Sequence, residues 1–330
     1  MRIKTQARPV FKGDIVHIQR RTLNGYFFLV PKPETVRLIQ YAYALAAERY
    51  GLVLHALCIM STHVHVIASD PRGLHPEFTA YAHRTIALGL KKMHAIEGPI
   101  WHVGGVPVQR LVGRDAVVEA LAYVRANPVA AGCVSAPSEY TGVFGVAEPE
   151  PLEVYSRRLS RPACFGPRSE LPDEAVFRTS APKLLLDELG EEGAERALKE
   201  TIARHVAAAC EERAAKNLGF LGMKRVLSVD IWRRAPSLGR SKYRPTYKGV
   251  VAEAIRQARA TLALFREAYA RAMMTFRHSD KYVLFPVGTY LMCRRYGCLT
   301  EEGIEGEIDE AEKLQAGARR CDTEPAVLTF

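Results

Sequence analysis

Between residues 14 and 113 the hydrophobic period of the sequence changes repeatedly, and few folds accommodate that pattern. Stretches in which apolar and polar residues alternate, or in which apolar residues run together, are typical of strands. Between them lie two longer stretches whose apolar residues recur at helical spacing. The order is strand, helix, strand, strand, helix, strand, over residues 14 to 21, 33 to 50, 52 to 60, 63 to 69, 76 to 95 and 107 to 113.

A further helix follows this series. Asp115 is suited to cap a helix that runs to Asn127, where Pro128 discourages continuation. The complete order is that of a split βαβ unit. It predicts an α+β fold with a ferredoxin-like (RRM-like) antiparallel sheet and helices on one face.

The amino-acid composition changes after the first 145 residues, and the charged residues are unevenly distributed along the chain. The net charge of the chain is +10. Residues 213 to 300 carry 18 Lys and Arg against 4 Asp and Glu, or +14, a balance that favours a polyanionic partner or a solvated basic surface. We predict a folded first domain followed by a linker, a mainly helical basic accessory region and an acidic, flexible tail, over residues 1 to 145, 146 to 181, 182 to 300 and 301 to 330.

Two histidines lie two residues apart in the predicted strand that begins at residue 63. Because side chains alternate between the faces of a strand, His63 and His65 share one face while Val64 points to the other. Two imidazoles on one face can hold one divalent ion. The alternative is a pair of histidines packed at the surface of the sheet.

Tyr123 and Asn127 are four residues apart in the predicted last helix, so they share one helical face. A phenol there could attack a phosphorus atom, and an amide oxygen could complete a metal site. A tyrosine near a helix end is also a common buried aromatic residue.

Taken together, these features resemble the single-tyrosine HUH transposases, most closely the REP-associated tyrosine transposases. The resemblance covers roughly residues 10 to 145. It rests on Arg20-Arg21-Thr22, Tyr26-Phe27-Phe28, Met60-Ser61-Thr62-His63-Val64-His65, Trp101, and the block from Tyr123 to Gly132 with Asn127-Pro128-Val129 inside it.

The resemblance implies a metal-dependent endonuclease and strand transferase that acts on single-stranded DNA containing a hairpin. It implies Tyr123 as the nucleophile, which forms a 5′-phosphotyrosine. His63, His65 and Asn127 would then hold Mg²⁺ or Mn²⁺. Relatives include monomers and homodimers, and both remain open for this chain.

Several basic residues are candidates for contacts with DNA phosphates. An N-terminal arm and first strand contribute five of them, the last helix of the first domain contributes one, and the basic region contributes three beside aromatic residues. They are Lys4, Arg8, Lys12, Arg20, Arg21, Arg125, Lys242, Arg244 and Lys248. We interpret five other histidines of the first domain as structural or surface residues, namely His17, His55, His83, His94 and His102.

The same fold is also compatible with two other classes of function. One is a domesticated, non-catalytic protein that recognises DNA hairpins with the same fold. The other is an RNA-binding module, which should present exposed aromatic side chains on its central strands. The charged N-terminus and the absence of a long apolar run predict a protein of the cytoplasm, associated with the nucleoid and not with a membrane.

Overall fold

A six-stranded sheet organises the first part of the chain, with strand order β5-β2-β3-β1-β4-β8. The computed structural model describes residues 7 to 146, 152, 154 to 236, 245 to 278 and 282 to 300. The strands are β1 Asp14–Arg21, β2 Val53–Met60, β3 His63–Asp70, β4 Val108–Val112, β5 Val143–Phe144, β6 Tyr155–Ser160, β7 Glu174–Thr179 and β8 Tyr247–Gly249. The helices are α1 Pro33–Tyr50, α2 His75–His94, α3 Arg114–Ala130, α4 Lys183–Ala215, α5 Met223–Leu227, α6 Ala252–Arg277 and α7 Leu291–Tyr296.

The central four strands confirm the predicted α+β, ferredoxin-like sheet. β1 pairs antiparallel with both β3 and β4, and β2 and β3 form an antiparallel hairpin. The sheet has one more strand than predicted at each of its two edges. β5 adds an antiparallel strand beside β2, and β8 adds a parallel strand beside β4.

Helices cover both faces of this sheet, whereas the sequence predicted helices on one face. Leu57, Ile59 and Val64 belong to the core beneath α1 and α2. Ala56 and Cys58, on the opposite face of β2, belong to a second core that α3 covers. The reason is that β2 and β3 are apolar on both faces, so each face needs a covering layer.

The helical C-terminal region begins with α4, which packs along α3. Its buried residues Leu185, Leu198 and Ile202 join the core between α3 and the sheet. Gly190 interrupts the helical backbone with φ 67°, a left-handed conformation that glycine adopts without steric cost. α3 is therefore enclosed between the sheet and α4.

The segment predicted as a linker, 146 to 181, contains a β-hairpin made of β6 and β7. Residues of β7 alternate between buried and exposed, and Ala175 and Phe177 join the core beneath α1 with Leu159 of β6. The abundant Pro, Arg and Ser residues of this segment are typical of a linker. The amphipathic pattern of the two short strands was therefore not recognised in the sequence. The hairpin thus extends the hydrophobic core where the sequence indicated a spacer.

Gly145 lies where β5 approaches β2 and β7. A Cβ at this position would lie 2.2 Å from the carbonyl oxygen of His55, and the backbone φ is +89°. Gly145→Ala is expected to lower the free energy of unfolding by about 2 kcal/mol or more, because strain and collision add. Chemical denaturation measures the change. Gly166→Ala is the control, since φ there is +66° but nothing lies within 4 Å of the added Cβ. Equal losses for the two variants would contradict the collision.

The described chain divides into two compact units, which differ from the predicted domains. One comprises the described residues between 10 and 263, and the other comprises residues 7 to 9 with the described residues between 264 and 300. In the second unit, Phe285 and Met292 form a small core with Ala272 of α6. The predicted tail, 301 to 330, lies outside the described residues. None of the helices within the described ranges is long and apolar enough to cross a bilayer.

Candidate nuclease site

His63 and His65 lie at the start of β3, on the face of the sheet that α3 covers. Val64 and Val66 alternate with them and pack beneath α1 and α2. The centroids of the two imidazole rings are 4.8 Å apart. Burial lowers the pKa of His63 to about 4 and the pKa of His65 well below 6.5. Both side chains are therefore neutral at neutral pH, which is the form that binds a metal ion.

Tyr123 of α3 lies against His65 of this pair. Its ring centroid is 5.4 Å from that of His65, in an edge-to-face arrangement. Burial raises the pKa of Tyr123, and the neighbouring Cys58 raises it further, while Arg21 and a side-chain hydrogen bond from Asn127 oppose the shift. The phenol is therefore protonated at neutral pH.

Asn127 shares the helical face of Tyr123, and its side chain is close enough to the phenol to lower the pKa of Tyr123. The sequence indicated that Pro128 discourages the helix from continuing past Asn127. In the structure α3 continues to Ala130 with Pro128 inside it, and the backbone N–H of Ala131 donates to the carbonyl of Asn127. The helix thus keeps the phenol and the amide on one side.

His17 of β1 is a site residue that the sequence analysis missed, since it was interpreted as structural. Its Nε2 lies 2.9 Å from Nδ1 of His65, within hydrogen-bond distance. Its ring centroid is 6.1 Å from that of Tyr123. The alternation of DIVHIQRR already places His17, Gln19 and Arg21 on one face of β1. What the sequence lacks is the register, which pairs Gln19 with His65.

The hydrogen bonds of the two predicted ligand histidines leave ring nitrogens available. Nε2 of His65 is buried and has no hydrogen-bond partner in the described part of the chain. Nδ1 of His63 lies 3.0 Å from the hydroxyl of Thr62, so Nε2 is left for another partner. Among the residues described, no cluster of three or more His, Cys, Asp or Glu side chains is arranged to hold a metal ion. The candidate donor set is therefore two imidazoles with the amide of Asn127.

Lys248 is brought to this site from the C-terminal basic region. β8 pairs with β4 so that Lys248 lies beside Leu111. Its Nζ lies 5.9 Å from the centroid of the Tyr123 ring. Arg21, which is exposed and pairs with His63 across β1 and β3, adds a second positive charge at the same end of the sheet.

Other residues predicted to contact DNA are not gathered here. Arg20 points to the opposite face of β1, where it donates to the carbonyl of Gly104 and lies 6.0 Å from the Trp101 ring centroid. Arg125 of α3 is only 4% exposed, and so its side chain presents almost no surface to DNA. Lys12 and Arg8 are exposed, in different compact units. Lys4, Lys242 and Arg244 lie outside the described residues.

The remaining predicted structural histidines are placed away from Tyr123. His55 is buried, with its ring nitrogens within hydrogen-bond distance of the Ser180 carbonyl and the Ser69 hydroxyl. His83 is buried against Tyr43. His94 lies at the end of α2, and His102 is exposed.

Comparisons with known proteins give one distant likeness. No protein-family model matches the chain, and no curated protein matches it. A solved structure described as a REP-associated tyrosine transposase bound to a REP hairpin matches 43% of this chain and 82% of that chain. The identity is 14% and the TM-score is 0.38. A likeness of this degree assigns neither a family nor an activity to the chain.

Proposed function

We propose that this chain is a metal-dependent endonuclease and strand transferase, a transposase, that acts on single-stranded DNA containing a hairpin. One observation carries the proposal: Tyr123 packs against His65, which lies beside His63, and both imidazoles are neutral and share one face of the sheet. An isolated structural tyrosine needs no such neighbours. The donor set and the phenol together provide the components of a phosphodiester transesterification.

In the proposed reaction, the phenolic oxygen of Tyr123 attacks the scissile phosphorus. The new bond joins that oxygen to phosphorus, and the bond between phosphorus and the 3′-oxygen breaks. The electron pair leaves on the 3′-oxygen, which ends as a hydroxyl, while the phenolic proton passes to solvent. The product is a 5′-phosphotyrosine, which conserves the phosphodiester for later attack by another 3′-hydroxyl. The reaction therefore needs no nucleotide triphosphate.

The residues present fit a divalent cation such as Mg²⁺ or Mn²⁺. The unpartnered Nε2 of His65 is a suitable donor, and His63 and Asn127 would supply the other two. When bound, the cation would polarise the phosphate and neutralise its charge. His65 presents a lone pair at Nε2 only if its proton is on Nδ1, which then donates to His17. His17 is thereby a positioning residue for His65.

His17→Phe is expected to weaken Mn²⁺ binding by about 10- to 100-fold, since partners that orient a ligand histidine typically contribute that much. Phenylalanine fills the buried position but cannot accept the proton of Nδ1. Titration followed by the electron paramagnetic resonance of free Mn²⁺ measures the affinity directly. Wild-type affinity in the variant would show that the hydrogen bond to His65 does not orient a ligand.

The bound DNA would follow the positive charge beside the site. Arg21 and Lys248 are the described candidates nearest Tyr123, and Arg8, Lys12 and the residues at 4, 242 and 244 remain candidates for more distant phosphate contacts. Each phosphate contact should make binding weaker as salt increases. Action as a monomer and action as a homodimer both remain compatible with this proposal.

The alternative is a non-catalytic protein that binds DNA hairpins with the same fold. The two are separated by incubating the wild-type protein with a pool of end-labelled, single-stranded DNA hairpins that carry randomised flanks. The proposed function predicts nicked products and a protein-linked DNA band that require Mg²⁺ or Mn²⁺ and disappear with EDTA. Binding without any cleavage would support the non-catalytic alternative.

A further inference from the structure

Lys248 belongs to the C-terminal basic region in sequence and lies at the candidate site in the structure. It belongs to β8, a short strand that extends the sheet beyond β4. Its Nζ lies over the ring of Tyr123 on α3, 5.9 Å from the centroid. A residue far from the predicted nuclease domain in sequence therefore contacts the proposed nucleophile.

The surroundings of this ammonium group are unusual for a lysine. The side chain is half-buried, and within the described ranges Nζ makes neither a hydrogen bond nor an ion pair. The acid that acts on it electrostatically is Glu119, four residues before Tyr123. Glu119 is already engaged by α4, through a contact of 2.8 Å to His205 and an ion pair with Arg204.

A half-buried ammonium loses part of its hydration, which is costly unless acceptors replace the lost water. The charged and titratable groups that face it are Glu119, His17 and Tyr123. None of these supplies a free anion, since Glu119 is shared with Arg204 and His205. The position is therefore suited to an anion that arrives with a ligand.

We propose that Lys248 is a catalytic residue that binds a non-bridging oxygen of the scissile phosphate while Tyr123 attacks the phosphorus. This inference rests on the proposed function and adds a residue of the C-terminal region to the reaction centre. Before attack, reacting atoms lie about 3 to 3.5 Å apart, so the phosphate oxygens would occupy the space beside the phenol that Nζ faces. As negative charge accumulates on those oxygens, the ammonium stabilises it. Charge, and not proton transfer, is the contribution of Lys248.

The test compares cleavage of the labelled hairpin pool by the wild-type chain and by Lys248→Gln at saturating DNA. Removal of one preorganised charge contact is expected to lower the single-turnover rate about 100-fold. Lys248→Arg retains the charge and should recover part of the rate. Lys224→Gln, which removes an exposed lysine of α5, is the control for net charge and should cleave as the wild type does. A rate for Lys248→Gln within about threefold of the wild type would overturn the inference.

A second measurement uses only the wild-type protein, so it does not depend on the folding of a variant. Lysines are acetylated with an N-hydroxysuccinimide ester in the presence and absence of the hairpin pool, and modification is read by mass spectrometry. Bound DNA should protect Lys248. Equal modification of Lys248 with and without bound DNA would overturn the inference. If the wild-type chain cleaves while Lys248→Gln is unaffected, this inference alone fails. If the wild-type chain neither cleaves nor binds, the proposed function fails and this inference fails with it.

Discussion

Tyr123→Phe is expected to abolish strand cleavage, with a loss on the order of 10⁵-fold or to below detection, because no other group replaces a covalent nucleophile. The substitution removes one oxygen and leaves the aromatic ring against His65. Binding of the hairpin pool should stay close to that of the wild type, since the phenol contributes little to the contact with phosphates. Cleavage on a denaturing gel and binding by fluorescence anisotropy measure the two properties separately.

Tyr81→Phe provides the matched control for this variant. Tyr81 is half-buried on α2, the helix that covers the other face of the sheet. It should cleave as the wild type does. If Tyr123→Phe retained substantial cleavage, another residue would have to be the nucleophile. If both tyrosine variants lost activity equally, the loss would reflect structure and not chemistry.

His65→Gln is expected to weaken Mn²⁺ binding by more than about 100-fold and to lower cleavage by at least as much, because a first ligand contributes more than the partner that orients it. Glutamine keeps a polar group of similar length at this buried position, which is 1% exposed. It cannot present an imidazole nitrogen where Nε2 now lies. Isothermal titration calorimetry with Mn²⁺ and the gel assay measure the two effects.

His55→Gln separates the loss of a ligand from the loss of a buried histidine. His55 is 2% exposed on β2, and its ring nitrogens lie near Ser180 and Ser69. This variant should bind Mn²⁺ with wild-type affinity, whatever its effect on thermal stability. Mn²⁺ binding that survived in His65→Gln, with the circular dichroism spectrum unchanged, would exclude His65 as a ligand.

The alternation of hydrophobic periods was sufficient to predict the core of the fold. The order of elements from β1 to β4 follows from local patterns, and the ferredoxin-like arrangement was confirmed with strand ends within one or two residues of the predicted ones. Local periodicity also places His63 and His65 on one face of β3. It likewise places Tyr123 and Asn127 on one face of α3. These are short-range relations, fixed by strand and helix geometry.

The features that the sequence did not reveal depend on contacts between distant segments. The hydrogen bond between His17 and His65 needs the register of β1 against β3. The approach of Lys248 to Tyr123 needs the parallel pairing of β8 with β4, which no local pattern specifies. Arg125 was predicted to contact DNA, but its side chain is buried, which depends on how α3 packs in the folded chain.

The central claim is that the oxygen of Tyr123 becomes covalently joined to DNA. Trypsin cleaves after Arg114 and Arg125, and the resulting peptide, residues 115 to 125, contains Tyr123 as its only tyrosine. After reaction of the wild-type chain with the hairpin pool and nuclease trimming of the DNA, mass spectrometry locates the adduct. The account predicts a 5′-nucleotide mass on Tyr123 of this peptide. An adduct on any other residue, or cleavage without an adduct, would contradict it.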